Sequence, residues 1–159
     1  MNQAILGIAT AVREAAEGYN KSRAYTYAFN RRLQGACADC SYVLDRLLRQ
    51  EKVDSCFVMG EYNGACHCWV EVPVDQIIDI TATQFNARYP KVYTPEPGVN
   101  EAYYEKHRGA KAIEVLDWYW GGPYRPAARA IEEMALKWLR ENADSFRQNS
   151  LDPVSLEVF

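Results

Sequence analysis

Cys37 follows Gly35-Ala36 at the head of an amphipathic stretch. That position puts its thiol where unpaired backbone N–H groups and the helix dipole favour the thiolate. His67, one of only two histidines, lies in the strand-like run Cys66-His67-Cys68-Trp69-Val70-Glu71-Val72. Asp79 sits between Ile78 and Ile80, where a carboxylate is costly to bury without a partner. An even separation of twelve residues lets His67 and Asp79 share one face of neighbouring strands. A nucleophile, a base and a carboxylate that orients the base are what activated acyl transfer uses. Backbone N–H groups at the start of the Cys37 helix are the expected oxyanion donors, with Gln34 as a candidate side-chain contributor. Trp69 and Glu71 share the His67 face, Trp69 as a wall of the substrate cleft or as core.

The same residues admit a metal reading. Cys37-x-x-Cys40 supplies two thiolates, and Cys66 and Cys68, or His67, supply the others. Strand alternation argues against using all of them, because Cys66 and Cys68 point to one face and His67 to the other. The expectation is therefore a base at His67, with no metal and no cofactor. Five cysteines bunched in one third of the chain do not look like a disulfide framework, and reduced thiols fit better. A redox role for Cys37 with Cys40 lacks a preceding parallel strand. Cys40, Cys56, Cys66 and Cys68 are each expected as small core residues.

The elements that must position these groups are legible in the hydrophobic periodicity. Ile5, Leu6, Ile8, Ala9, Val12, Ala15 and Ala16 predict a helix over 2–17, with Gly18 ending it. Residues 23–33 leave helix and strand in competition. Cys37, Cys40, Val43, Leu44, Leu47 and Leu48 predict a helix over 36–50 with that stripe buried. Runs at 53–60, 66–72 and 77–80 predict an antiparallel meander, the first two joined at Asn63-Gly64 and the last two across 73–76. Four turn-forming residues, Pro90, Pro95, Pro97 and Gly98, predict a surface loop over 86–100. A further helix starts near Pro126 and carries Ala127, Ala130, Ile131, Met134, Trp138 and Leu139. His107 is expected at the surface, and Trp118, Tyr119, Trp120, Tyr103, Tyr104 and Tyr124 as packing.

Three segments together resemble a known family: Gly35-Ala36-Cys37-Ala38-Asp39-Cys40-Ser41-Tyr42-Val43-Leu44, His67-Cys68-Trp69-Val70-Glu71-Val72, and Ile78-Asp79-Ile80-Thr81-Ala82-Thr83-Gln84-Phe85. They look like the transglutaminase-like branch of the papain-like cysteine protease superfamily, in which Cys at a helix start, His on a strand and Asp on the next strand come in this order. The resemblance covers roughly residues 35–85. It implies Cys37 as nucleophile, His67 as base and Asp79 as orienting carboxylate. Cys40 departs from it, standing where a small residue such as Ala is usual, and so do the cysteines that flank His67. The family holds proteases, amidases, deamidases and transglutaminases, and its fold does not choose among them.

The expected architecture is α+β, a papain-like/transglutaminase-like core with N-terminal helices packed on a small antiparallel sheet, as one domain over 1–147 with a loosely held tail over 148–159. A net charge of −3 carries no basic footprint, which excludes nucleic acid as an expected partner. Neither a basic leader nor a run of eighteen apolar residues is present, so the expectation is a cytoplasmic protein with no membrane partner. The expected function is a cysteine-dependent hydrolase or acyltransferase acting on a peptide or protein amide. The competing class is a non-enzymatic, zinc-stabilised or inactive binding module on the same fold.

Overall fold

The computed structural model describes residues 2–22, 33–73, 76–96, 104–106 and 126–142. The stripe of apolar residues after Cys37 winds into helix α2 (Cys37–Gln50), burying Cys40, Val43, Leu44, Leu47 and Leu48 while Arg46, Arg49 and Gln50 stay exposed. It ends in a Schellman-type turn: Lys52 takes a φ of 60°, its N–H bonds the Arg49 carbonyl, and the Val53 N–H reaches back to Leu48. Helix α1 (Gln3–Ser22) packs against α2 and, more extensively, against α3 (Pro126–Glu141).

Four strands form one antiparallel sheet: β1 (Cys56–Tyr62), β2 (Ala65–Val72), β3 (Gln76–Ile78) and β4 (Tyr104–Lys106), in the order β3-β2-β1-β4. Asn63 (φ 48°) and Gly64 (φ 76°) make the β1–β2 turn, the pair of left-handed residues that a two-residue hairpin loop requires. They set the register Tyr62↔Ala65 through Cys56↔Glu71, which places His67 opposite Gly60.

Both faces of this sheet are covered. Val70, Val72, Ile78 and Ile80 join the helical core with Ile8, Val12, Val43, Leu44, Leu48 and Ile131. Val58, Tyr62, Trp69, Ile77, Ala82, Tyr93 and Tyr104 make a second, aromatic core on the other side. Fully burying each of the larger side chains contributes about 1.5–3 kcal/mol. Double coverage explains why β2 is buried without interruption from His67 to Val70, with no alternation of exposed and buried residues.

The α+β class, the two helices framing the sheet and the meander agree with the sequence reading, and four details differ. Helix α1 runs through Gly18 to Ser22. Gly18 serves close approach there: a Cβ at that position would lie 2.7 Å from the Met134 Cε on α3. The stretch after residue 86 is irregular but not merely superficial, since Tyr93 is buried and pairs with Asp79 through two backbone hydrogen bonds of 2.8 and 2.9 Å. Cys56 and Cys66 are exposed, contrary to the expected core role, whereas Cys40 and Cys68 are buried. Strand β4 has no counterpart in the sequence reading, being three residues long. Most of 23–33, together with Tyr103, His107, the aromatics at 118–120, Tyr124 and the tail from 148, lies outside the described residues.

Candidate functional site

The approach to Cys37 is a turn. Leu33 (φ 61°) and Gly35 (φ 81°) are both left-handed, and the Ala36 N–H bonds the Leu33 carbonyl at 3.0 Å. A left-handed leucine is unfavourable by roughly 1–2 kcal/mol, but Leu33 is buried in the helical core, and that packing holds it. The turn delivers Ala36 as the N-cap of α2, with no side chain capping it, and the first intrahelical bond runs from the Cys40 N–H to the Ala36 carbonyl. The Cys37 thiol, partly exposed, thus stands at an end of α2 whose backbone donors favour negative charge.

Helix α2 is fixed to β2 at this level by the Ser41 hydroxyl, which donates to the Cys68 carbonyl at 3.0 Å. Cys37 packs against Ala38, Phe57 and Cys68. The Cys68 thiol and the His67 ring are the two side chains that most lower its pKa. Strand β3 pairs only with Val70–Val72 of β2. The β2 edge at His67 and Cys68 therefore lies beyond β3.

His67 is withdrawn from solvent entirely. Phe85 meets its ring edge-on at 4.8 Å, Trp69 stacks at 6.0 Å, and Tyr62 and Tyr104 each lie at 6.3 Å. Its Nε2 is 2.7 Å from Asp79 Oδ2, and its Nδ1 is 3.1 Å from Gln84 Nε2. Asp79 is buried completely and receives four donors. Tyr104 Oη donates to Oδ2 at 2.9 Å, and the Thr81 N–H and Oγ1 donate to Oδ1 at 2.8 and 3.1 Å; His67 is the fourth. Burial opposes ionisation of Asp79, but the His67 charge and these donors outweigh it and hold the carboxyl below its ordinary value. An ionised carboxylate only accepts, so His67 Nε2 carries hydrogen. Nδ1 accepts from the Gln84 amide in the neutral ring, and when Nδ1 holds the proton exchanged with Cys37 the Gln84 amide presents its oxygen to it.

The electrostatics of the thiol and the ring are reciprocal. For Cys37 the hydrogen bond from Cys68 lowers the pKa most, burial raises it, and the contact with His67 lowers it further, to about 5. For His67 burial works against the charged ring, yet the Asp79 charge and hydrogen bond, helped by Cys37, carry the pKa up to about 9. Between those values the favoured state is a thiolate beside an imidazolium. Cys68 stays a thiol, its pKa pushed far up by its bond to Cys37, by burial and by the Cys37 charge.

The segment bearing Thr81 and Gln84 is held from behind by α1. Arg13, only 4% exposed, donates to the Ile80 carbonyl at 2.6 Å and to Thr83 Oγ1 at 2.9 Å. Its charge is matched by Glu17 at 2.8 Å, and Lys91 bridges Glu17 and Glu14 at 2.9 and 2.8 Å. Gln84 follows in a short 3-10 turn (Ala82–Gln84).

Cys37, His67 and Asp79 are thus brought together. Trp69 is not a cleft wall that a substrate could reach: it is 0% exposed, its indole N–H donates to Glu71 at 3.1 Å, and it belongs to the aromatic core. Gln34 is exposed in the turn before Cys37. The four-cysteine metal set is not assembled, since Cys40 lies in the helical core and Cys66 on the surface. Among the described residues, no group of three or more His, Cys, Asp or Glu side chains could hold a metal ion. Burial first, then the Asp39 charge, keeps Cys40 protonated.

Sequence reasoning passed over Gln84 and Tyr104 as site residues, and named Cys68 only as a candidate metal ligand or a small core residue. Gln84 carried a signal, standing in the same short segment as Asp79. Tyr104 carried none, since it reaches Asp79 from 25 residues away. Comparisons with family models, with curated proteins and with solved structures find no match to this chain. No helix among the described residues is long and apolar enough to cross a membrane.

Proposed function

We propose that this chain is a cysteine-dependent hydrolase or acyltransferase acting on a peptide or protein amide, built on a papain-like, transglutaminase-like core. The observation that carries the proposal is the Cys37 thiol at the head of α2, its pKa lowered by Cys68 and His67, with the His67 ring bonded to the buried Asp79 carboxylate at 2.7 Å. In this reading the Cys37 thiolate attacks the amide carbonyl carbon. Backbone N–H groups at the start of α2 receive the developing oxyanion. His67 gives its Nδ1 proton to the departing amine, which leaves a thioester on Cys37. A ring that stays charged to about pH 9 is a competent general acid at neutral pH. Water or a second amine, deprotonated by the now neutral Nδ1, then attacks the thioester and regenerates the thiolate. Asp79 keeps Nε2–H oriented throughout and stays ionised.

Hydroxylamine is a direct test, because it intercepts thioesters. The full chain is incubated with a mixture of glutamine-containing peptides and hydroxylamine, and the products are read by mass spectrometry. Hydroxamate products that vanish in Cys37→Ala support the proposal. Turnover of equal extent in Cys37→Ala overturns it, as does an unmodified peptide pool alongside a Cys37 thiol no faster than Cys66 toward iodoacetamide.

A further inference from the structure

Cys68 is a nucleophilic group that the acyl-transfer chemistry does not use. It is buried, lies in contact with Cys37, and is held in place by the Ser41 bond to its own carbonyl. It faces the helical side of β2 while His67 faces the aromatic side, so Cys37 stands between a proton-transfer partner and a second sulfur. The remaining thiols are placed otherwise: Cys40 in the helical core, Cys56 and Cys66 on the surface.

We propose that Cys37 and Cys68 form a hydroperoxide-sensitive dithiol, in which Cys37 is oxidised first and Cys68 resolves it to an intramolecular disulfide. The Cys37 thiolate attacks the distal oxygen of a hydroperoxide, an S–O bond forms, and the O–O bond breaks. The leaving oxygen takes the proton of the His67 ring and departs as water or an alcohol. Cys37 is then a sulfenic acid. The Cys68 sulfur attacks the Cys37 sulfur, the S–O bond breaks, and the Cys68 proton leaves with the hydroxyl group as water. Two thiols have lost two electrons and two hydrogens to one hydroperoxide, and no other reactant enters.

Three features favour this course. The partly exposed Cys37 is held as a thiolate, the form that reacts with peroxides. Cys37 packs against the cluster that holds Cys68, on a helix and a strand tied together by Ser41, so the two thiols are neighbours across one packed contact. The resolving step is also self-timed. Cys68 is kept protonated first by its hydrogen bond to Cys37, then by burial, then by the Cys37 charge. Oxidation of Cys37 removes the negative sulfur behind the first and third of these. The disulfide would occupy the nucleophile and protect it from irreversible oxidation.

The inference goes beyond acyl transfer, and its readout is a mass and not an activity, so it can fail or succeed independently. The reduced full chain is treated with one equivalent of hydrogen peroxide at pH 7, blocked with an alkylating agent and mapped by peptide mass spectrometry, with dimedone added in a parallel sample. The expected product is a Cys37–Cys68 linked peptide pair, reversed by dithiothreitol. In Cys68→Ala the dimedone adduct of Cys37 should rise at least about fivefold over the wild type, because nothing resolves the sulfenic acid. Wild-type mapping decides the matter even if the variant folds poorly. Pairing of Cys37 with Cys40, Cys56 or Cys66 overturns the proposal, as does dimedone-labelled or sulfinic Cys37 without the disulfide.

Discussion

His67 Nε2 lies 2.7 Å from Asp79 Oδ2, and neither side chain has any solvent exposure. Two groups that water would stabilise as ions have been moved into a core, where an unpaired charge costs several kcal/mol. What makes the arrangement tolerable is that the carboxylate is satisfied from both oxygens by Thr81, Tyr104 and the ring itself. The pair is rigid for the same reason, and Nδ1, 3.1 Å from Gln84 Nε2, is the ring nitrogen left for proton exchange.

Asp79→Asn tests that orientation. An asparagine amide must present N–H either to His67 and Tyr104 or to the two Thr81 donors, and each choice sets donor against donor. Alkylation of Cys37 by iodoacetamide at pH 7 is expected to slow by about 10- to 1,000-fold, with the thiol pKa moving up toward about 8.5. A rate within threefold of wild type would remove Asp79 from the series.

The pH dependence of stability separates a charged thiol–imidazole pair from a neutral one. Folded His67 keeps its proton to about pH 9 against an ordinary 6.5, so its contribution is complete below 6.5 and lost as pH rises through 9. Folded Cys37 loses its proton near 5 against an ordinary 9.0, so its contribution is complete above 9 and lost as pH falls through 5. From pH 6.5 to 9 folded and unfolded pairs carry the same number of protons, and stability is flat. From 5 to 6.5 the unfolded pair carries one more, and stability rises with pH by up to about 1.4 kcal/mol per unit. Cys37→Ala should abolish that rise and introduce a decline above pH 6.5. Urea melts from pH 5 to 9 on both proteins give the answer, and profiles of identical shape would rule out the ion pair.

Much of this was readable in the residues, and what was not has a physical reason. The stripe after Cys37 named α2, and Asn63-Gly64 named the hairpin, because periodicity and left-handed turns are local properties. Cys37, His67 and Asp79 were legible because a thiol at a helix start and a carboxylate amid isoleucines are unusual on their own. Gly18 misled, since a glycine that admits a neighbouring helix reads the same as one that stops its own. Trp69 was read half as cleft wall because sequence could not show that a second core covers that face of the sheet. Cys68 was read as inert core, which its burial supports, but its neighbour was visible only in three dimensions. The Tyr104 bond to Asp79 depends on where β4 joins the sheet, a long-range pairing that a three-residue strand does not announce.

Arg13→Met should separate anchoring from chemistry. It leaves the Ile80 carbonyl and Thr83 hydroxyl without their shared donor, and Glu17 without one of its two cations. A loss of about 3 kcal/mol is expected, lowering the melting temperature by roughly 6–12 °C in a chain of this size. Calorimetry checks it, and a shift below about 2 °C would mean that the segment after β3 needs no such support.

Gly18→Ala is expected to be neutral or to stabilise by up to about 1 kcal/mol, since alanine favours the helix and the obstructing atom is the end of a flexible methionine. Met134 is 37% exposed and has room to move. A loss above about 1 kcal/mol in denaturant melts would show that the α1–α3 contact is closer-fitting than that.

Because one guanidinium spans α1 and the chain that carries Thr81 and Gln84, the N-terminal helix and the thiol centre are linked thermodynamically. Any molecule that binds at Cys37 and needs that chain in place must slow amide exchange in α1 by the same free energy by which loosening α1 weakens its binding. A ligand for this protein could therefore be recognised before any reaction is known, from deuterium uptake in a helix that it never touches.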